Sequence, residues 1–258
     1  MAGLATGLVV VVVAALVIAK ANTGKTTSAA TTAAPKTLAP ASVVAQLAGI
    51  PAGTLAHAVQ VTKVTGPSPI TAPSLTQGGK PEVLYIGAEY CPYCAAERWA
   101  MVTALSHFGT FSTLGSTTSS ASDVDPNTPT FSFYGSTYAS PYLAFSSVEE
   151  TTNQPSGSGY VALQQPTAAQ QQLYNSYGNG GIPFIDLGGR YFSGVAYDPA
   201  VLAGMSLTGI AAAAANGSSG AGLDIQAASG ALVAAICRLT ADQPAAVCSA
   251  FPATSSGP

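Results

Sequence analysis

The chain has 258 residues, of which 48% are hydrophobic and only 7% charged, with a formal net charge of −3. That is enough apolar material for one sizeable domain with additions, and eight Lys and Arg residues make no basic field to attract nucleic acid. No acidic run suggests a cation store, and Ser, Thr, Ala and Gly dominate the polar residues, as is common in exported proteins.

Residues 2–19 carry no charge and include the run Val9–Val13. As a helix they would span about 27 Å at 1.5 Å per residue, close to the hydrocarbon thickness of a bilayer. Residues 1–21 are therefore expected to form a transmembrane anchor. The alternative is a signal peptide: Ala19-Lys20-Ala21 offers a small-x-small cleavage pattern, although no Lys or Arg precedes the apolar run. Lys20, Lys25 and Lys36 all follow the span, which by the positive-inside rule would place the remainder in the cytoplasm. Three lysines are a weak bias and long domains translocate largely regardless of it. The expected topology is a membrane-anchored domain on the extracytoplasmic side, secreted if the segment is cleaved.

Residues 22–41, rich in Thr, Ala, Ser and Pro and without apolar periodicity, read as a flexible tether, leaving 42–258 as the folded domain. Val43, Val44, Leu47 and Ile50 predict a short amphipathic helix ending at Pro51. A helical turn and a strand are expected within Ala52–Val64, and a proline-containing loop over Gly66–Gly79.

Next comes the most informative stretch. Val83, Leu84, Tyr85 and Ile86 form an apolar, β-favouring run that stops at Gly87. After Cys91-Pro92-Tyr93-Cys94, the residues Ala95, Trp99, Val102, Leu105 and Phe108 recur at helical spacing. Strand, CxxC, helix is the order that places Cys91 at a helix N-terminus, where unpaired backbone N–H groups and the helix dipole favour an anion. A thiolate there is the attacking sulfur of thiol–disulfide exchange, and Cys94, one turn on, can resolve the mixed disulfide. Pro92 suits the first helical turn because it needs no N–H there. A structural disulfide or half of a zinc site are the bland alternatives.

Downstream, Gly115–Thr128 reads as a polar loop and Pro129–Gly135, with Phe131 and Phe133 alternating, as a strand beside Glu82–Gly87. Eighty-eight residues separate Cys94 from Pro183, so an insertion is expected over 138–180, holding Tyr138, Tyr142, Phe145 and Tyr160 and then a helix near Thr167–Tyr177. Gly181–Leu187 reads as an apolar strand with Pro183 at its start, and Gly188-Gly189 leads into a second possible strand over Arg190–Val195. A helix is expected from Asp198-Pro199 to about Asn216, stopped by Gly217, and another over Leu223–Leu239. Cys237 and Cys248 are eleven apart across Asp242-Gln243-Pro244. A structural disulfide there would contribute about 3 kcal/mol in the loop-entropy picture and implies an oxidising compartment. A second redox pair is the sharper alternative; the x10 spacing fits a zinc knuckle poorly.

The string Leu84-Tyr85-Ile86-Gly87-Ala88-Glu89-Tyr90-Cys91-Pro92-Tyr93-Cys94-Ala95-Ala96-Glu97-Arg98-Trp99 resembles an uncharacterised prokaryotic domain-of-unknown-function family with a thioredoxin-like fold. The resemblance continues through Phe108–Phe111, Thr130–Phe133, Ile182–Ile185, Ile236-Cys237 and Val247-Cys248. It implies an α/β thioredoxin-like fold, a central mixed sheet with flanking helices, with the insertion before the proline-led strand. In such folds that proline is cis and lies beside the CxxC, so Ile182–Pro183 is expected to be cis. The core would then be 80–214 and 215–258 a C-terminal helical extension. Broader relatives imply dithiol–disulfide exchange.

The site residues expected on this reading are Cys91, Cys94 and Pro183. Glu89 and Arg98 are candidates for proton relay or thiolate tuning, since a carboxyl buried under a CxxC can relay the proton of the second thiol; Glu97 is the other flanking carboxylate. Arg98 lies four residues after Cys94, where it could favour a thiolate, pair with Glu97 or another carboxylate, or face water. Trp99 is assigned to the core, and His57 and His107 to no catalytic role. The expected function is a membrane-tethered extracytoplasmic thiol–disulfide oxidoreductase without cofactor or metal. Its partners would be exported protein thiols or disulfides, a membrane redox partner that resets the CxxC, and the membrane itself through residues 2–19, with no nucleic acid. The rival is a non-catalytic cell-surface binding domain with both cysteine pairs as staples; a third reading is a thiol-based metal chaperone.

Overall fold

The computed structural model describes residues 37–217 and 220–252. The chain divides into two units, Met1–Ala33 and Ala34–Pro258, and the described residues belong to the second. The anchor expected over 2–19 and most of the tether lie outside them. The end of the expected tether is not free: Leu38 bridges Gly115, and the amide of Ala39 donates to the carbonyl of Leu114.

Two short helices come first, α1 (Ala41–Ala48) and α2 (Ala52–Val61), with Val43, Leu47 and Leu55 buried. Where a strand was expected before Val64, helix α2 instead runs to Val61. The expected loop over 66–79 carries two two-residue strands, β1 (Ser68–Pro69) and β2 (Thr76–Gln77). The central strand, β3 (Lys80–Gly87), is buried from Glu82 onward. Successive side chains of a strand point to opposite faces, and here Val83 and Tyr85 enter the larger core while Leu84 and Ile86 enter a smaller one with Val148, Tyr174 and Phe184. A strand covered on both faces reads as a continuous apolar run.

Helix α3 (Pro92–Ser106) follows. Nearly all of its residues are buried, and its carbonyls are tied down by side chains from elsewhere: Thr130 Oγ1 donates to the Ala95 carbonyl and Tyr197 Oη to that of Ala96, each at 2.7 Å. The hairpin β4 (Thr110–Thr118) and β5 (Pro129–Ala139) pairs antiparallel, with register shifts between Phe111 and Gly115. Two expectations are corrected here. The polar loop begins only after Thr118, because Ser and Thr residues continue the ladder to β5. And β5 is not the neighbour of β3: that place is taken by β6 (Ala144–Glu149), parallel to β3 with Glu82 opposite Ala144 and Gly87 opposite Glu149. The stretch 138–180 therefore contributes a strand to the main sheet and is not wholly an insertion.

A second hairpin, β7 (Thr151–Ser156) and β8 (Gly159–Ala162), precedes α4 (Ala168–Gly178), which starts with a reciprocal capping box between Thr167 and Gln170. Strand β9 (Phe184–Leu187) runs antiparallel to β3, Ile86 opposite Phe184, and turns into β10 (Tyr191–Ser193). The Ile182–Pro183 peptide is cis, as is Gln243–Pro244. The main sheet thus has the order β1-β10-β9-β3-β2, with β6 on β3, giving a mixed sheet with helices packed around it.

The helix expected from Asp198 to Asn216 is broken. Pro199–Leu202 is one 3₁₀ turn, Gly204 adopts φ of 70°, and Ser206 caps a separate helix, α5 (Leu207–Asn216). Helix α6 (Gly220–Leu239) packs on α2, α3 and α5. Among the described residues it is the one unbroken helix long and apolar enough to cross a membrane, but Ile225, Leu232, Val233 and Ile236 are buried in the larger core. Its apolarity is that of a helix covered on several sides. At Gly230 a side chain would meet the Leu55 carbonyl oxygen at 2.5 Å, so the glycine lets α2 approach closely. Helix α7 (Ala245–Cys248) ends at Cys248, which is disulfide-bonded to Cys237.

Candidate functional site

One end of the main sheet gathers the chemistry. At the C-terminal end of β3 the chain leaves through Ala88, Glu89 and Tyr90 into the CxxC; Glu149 ends β6 opposite Gly87, and Pro183 leads into β9 opposite Ile86. Cys91 is the N-cap of α3, with Pro92 at the first helical position, and its Sγ accepts the backbone N–H of Cys94 at 3.3 Å. Both thiols are free and buried, Cys91 with 4% of its surface exposed and Cys94 with none.

The two sulfurs differ in their protons. The Cys94 thiol as hydrogen-bond donor holds the Cys91 thiol below its ordinary pKa; the Cys94 and Tyr93 amides and the Arg98 charge add to this against burial. Burial first, and then the Cys91 thiolate beside it, push the Cys94 thiol well up. The offset runs in the direction that exchange would use: the proton of Cys91 is the easier to lose and that of Cys94 the harder.

Beneath the cysteines lies an ion pair. Arg98 Nε donates to Glu149 Oε1 at 2.9 Å and Nη2 to Oε2 at 2.8 Å, with neither side chain exposed. Nη2 also donates to the Ala88 carbonyl at 2.6 Å, and the guanidinium sits 5.7 Å from the Tyr85 ring centre. Glu149 Oε1 further accepts the Phe133 amide at 3.1 Å. Arg98 Nη1 and the Tyr85 hydroxyl are buried without a hydrogen-bond partner. Arg98 thus pairs with a carboxylate 51 residues away, and neither Glu149 nor Tyr85 was singled out from the sequence.

The two flanking carboxylates separate. Glu89 is half-buried and its Oε1 accepts the Ser132 hydroxyl at 2.6 Å; no hydrogen bond joins it to either sulfur. Glu97 is the buried one: Oε2 accepts the Ala196 amide at 3.1 Å, Oε1 has no partner, and burial pushes its carboxyl up to about 8. Trp99 is fully buried, its indole N–H donating to the Pro129 carbonyl. His107 is held below its ordinary pKa by burial.

Aromatic rings border the cysteines. Tyr90 stacks on Tyr160 of β8, ring centres 4.2 Å apart and planes within 7°, and Tyr93 is 40% exposed. Tyr174 of α4 packs on Phe184, the β9 residue opposite Ile86, which places α4 at the same end of the sheet; burial first, then the charge of Glu150, raises the pKa of Tyr174.

A family model described as Domain of unknown function (DUF929) matches residues 69–238, and the chain belongs to that family. The matched span holds Cys91, Cys94, Arg98, Glu149 and Pro183, and stops before Cys248. No curated protein and no solved structure matches the chain.

Proposed function

We propose that this chain is a thiol–disulfide oxidoreductase with a thioredoxin-like core, tethered to a membrane and acting on exported proteins. The observation that carries the reading is Cys91 as the N-cap of α3, its sulfur taking the Cys94 amide above the buried Arg98. The topology supports the fold: β3 leads into the CxxC helix, β6 pairs parallel with β3, and a proline-led strand pairs antiparallel on its other side before a hairpin and helices. The Cys237–Cys248 disulfide supports an oxidising compartment.

In the reductive direction, the Cys91 thiolate attacks one sulfur of a client disulfide. A Cys91–client disulfide forms and the other client sulfur leaves as thiolate. Cys94 then gives up its proton to that thiolate and attacks Cys91 Sγ, releasing the second client sulfur. Two electrons have passed to the client and Cys91–Cys94 is a disulfide. Oxidation is the reverse, and a membrane redox partner would restore the starting state in either case. Stabilising the Cys91 thiolate stabilises the dithiol form, which favours the oxidising direction.

Trapping tests the reading. With a peptide disulfide as probe, Cys94→Ser should accumulate a mixed disulfide on Cys91 and Cys91→Ser should abolish exchange; full activity in the double variant would end it. The burial of Cys91 favours a second reading, a cell-surface binding domain on the same scaffold in which the CxxC is a staple. In that case neither variant would form an adduct.

A further inference from the structure

Beside the CxxC, the β4–β5 hairpin and β7 enclose a cleft of about 390 Å³, lined among others by Glu89, Ser116, Thr118, Ser132, Asn153 and Gln154. Among the described residues, Glu89 is the one charged residue of its lining. One Glu89 oxygen takes the Ser132 hydroxyl; the other has no hydrogen bond, and no Lys or Arg among the described residues pairs with Glu89. Arg98 is committed to Glu149, and Glu89 itself acts on Glu149 as a like charge.

The remaining lining favours a donor. The Ser132 hydroxyl proton is spent on Glu89 and that of Ser116 points to the Leu38 carbonyl, while the Asn153 amide N–H groups are turned to Thr117 and Thr118. Several of the cleft's own donors are thus already engaged, and the Glu89 carboxylate is its strongest acceptor among the described residues. Lys and Arg side chains are donors without acceptors, and their hydrogen bonds to a carboxylate are roughly twice as strong as neutral ones. Among the described lining residues no Lys or Arg would meet an anion, and a neutral polyol, although its hydroxyls can donate, would leave the Glu89 charge without a counter-charge. Glu89 is two residues from Cys91, so their Cα atoms lie within about 7 Å. A side chain of Lys or Arg length, a few residues from a client cysteine, can bridge that distance.

We propose that this cleft is a recognition subsite for a lysine or arginine side chain of the client polypeptide, a proposal that rests on the exchange reading for its meaning. Affinity for redox-inert peptides tests it apart from that reading. Eight-residue peptides would carry serine at the client cysteine position, with arginine, or its neutral near-isostere citrulline, scanned through the neighbouring positions. Binding to the full-length chain would be read by calorimetry at low salt. At the best position the arginine peptide should bind about tenfold tighter than the citrulline peptide, a preference that shrinks in 0.5 M salt and falls to about one in Glu89→Gln. Equal affinities, a preference that survives Glu89→Gln, or no binding of any arginine peptide at millimolar concentration would overturn the subsite. Because no sulfur reacts in this experiment, a failed exchange assay leaves its outcome standing, and the reverse holds too.

Discussion

Arg98 and Glu149 meet through two parallel hydrogen bonds, 2.9 and 2.8 Å long, with no surface of either exposed. Arg98 is supplied by the helix that Cys91 caps and Glu149 by the strand parallel to β3, so the pair joins the CxxC to the sheet. A bidentate fork fixes orientation as well as charge. Breaking such a buried pair from one side costs about 3–5 kcal/mol, because the remaining charge is left without a partner.

Removing each partner should move Cys91 in opposite directions. Arg98→Met takes away a positive charge that favours the thiolate, so the pH midpoint of Cys91 alkylation by iodoacetamide should rise. Glu149→Gln leaves Arg98 uncompensated, and the midpoint should fall. Both variants should unfold at lower denaturant than the parent. Equal midpoints in all three proteins would separate the pair from the cysteines.

Glu97 makes stability depend on pH. Its carboxyl is raised from the ordinary 4.5 to about 8 in the folded chain, so between these values the folded state holds a proton that the unfolded state has lost. Its contribution is fully present below about pH 4.5 and is lost as pH rises through 8. Glu97→Gln keeps an acceptor for the Ala196 amide and removes the titration. The variant should match the parent near pH 4.5 and exceed it in unfolding midpoint at pH 8. A variant with the parent's pH profile would contradict this account.

Much of the surroundings of the CxxC could be read from the chain itself because their signals are local. The run Val83–Ile86, Cys91 as a cap, Pro92 at the first helical position and the proline before Phe184 each sit within a few residues of what they determine. Pairing across the sheet does not. Phe131 and Phe133 alternate as a strand should, yet periodicity does not say which strand lies alongside, and β6 took the place expected for β5. Ala144-Phe145-Ser146-Ser147-Val148-Glu149 is a weak strand pattern; it is held in place by β3 on one side and by Ser147 and Glu149 bonding to the Phe133 backbone on the other. Glu149 was invisible as the partner of Arg98 for the same reason. The choice between Glu89 and Glu97 turned on which face of α3 the loop after β10 covers, a tertiary fact.

The Cys237–Cys248 bridge closes a loop of about 12 residues, for which loop entropy gives about 3 kcal/mol. Replacing both with serine should lower stability in urea by about that amount while leaving the rate of Cys91 alkylation unchanged, since α7 lies away from the CxxC end of β3. A large change in Cys91 reactivity would instead make the second pair part of the redox chain.

The most direct test is the reduction potential of Cys91–Cys94 in the full-length chain, set by equilibration in thiol buffers with each cysteine pair read separately by mass spectrometry. The account predicts a reversible couple between about −120 and −270 mV, the span of known oxidants, isomerases and reductants, with stabilisation of the Cys91 thiolate drawing it toward the less negative end. A pair that stays oxidised below about −300 mV, as structural disulfides do, would contradict it and leave the CxxC a staple.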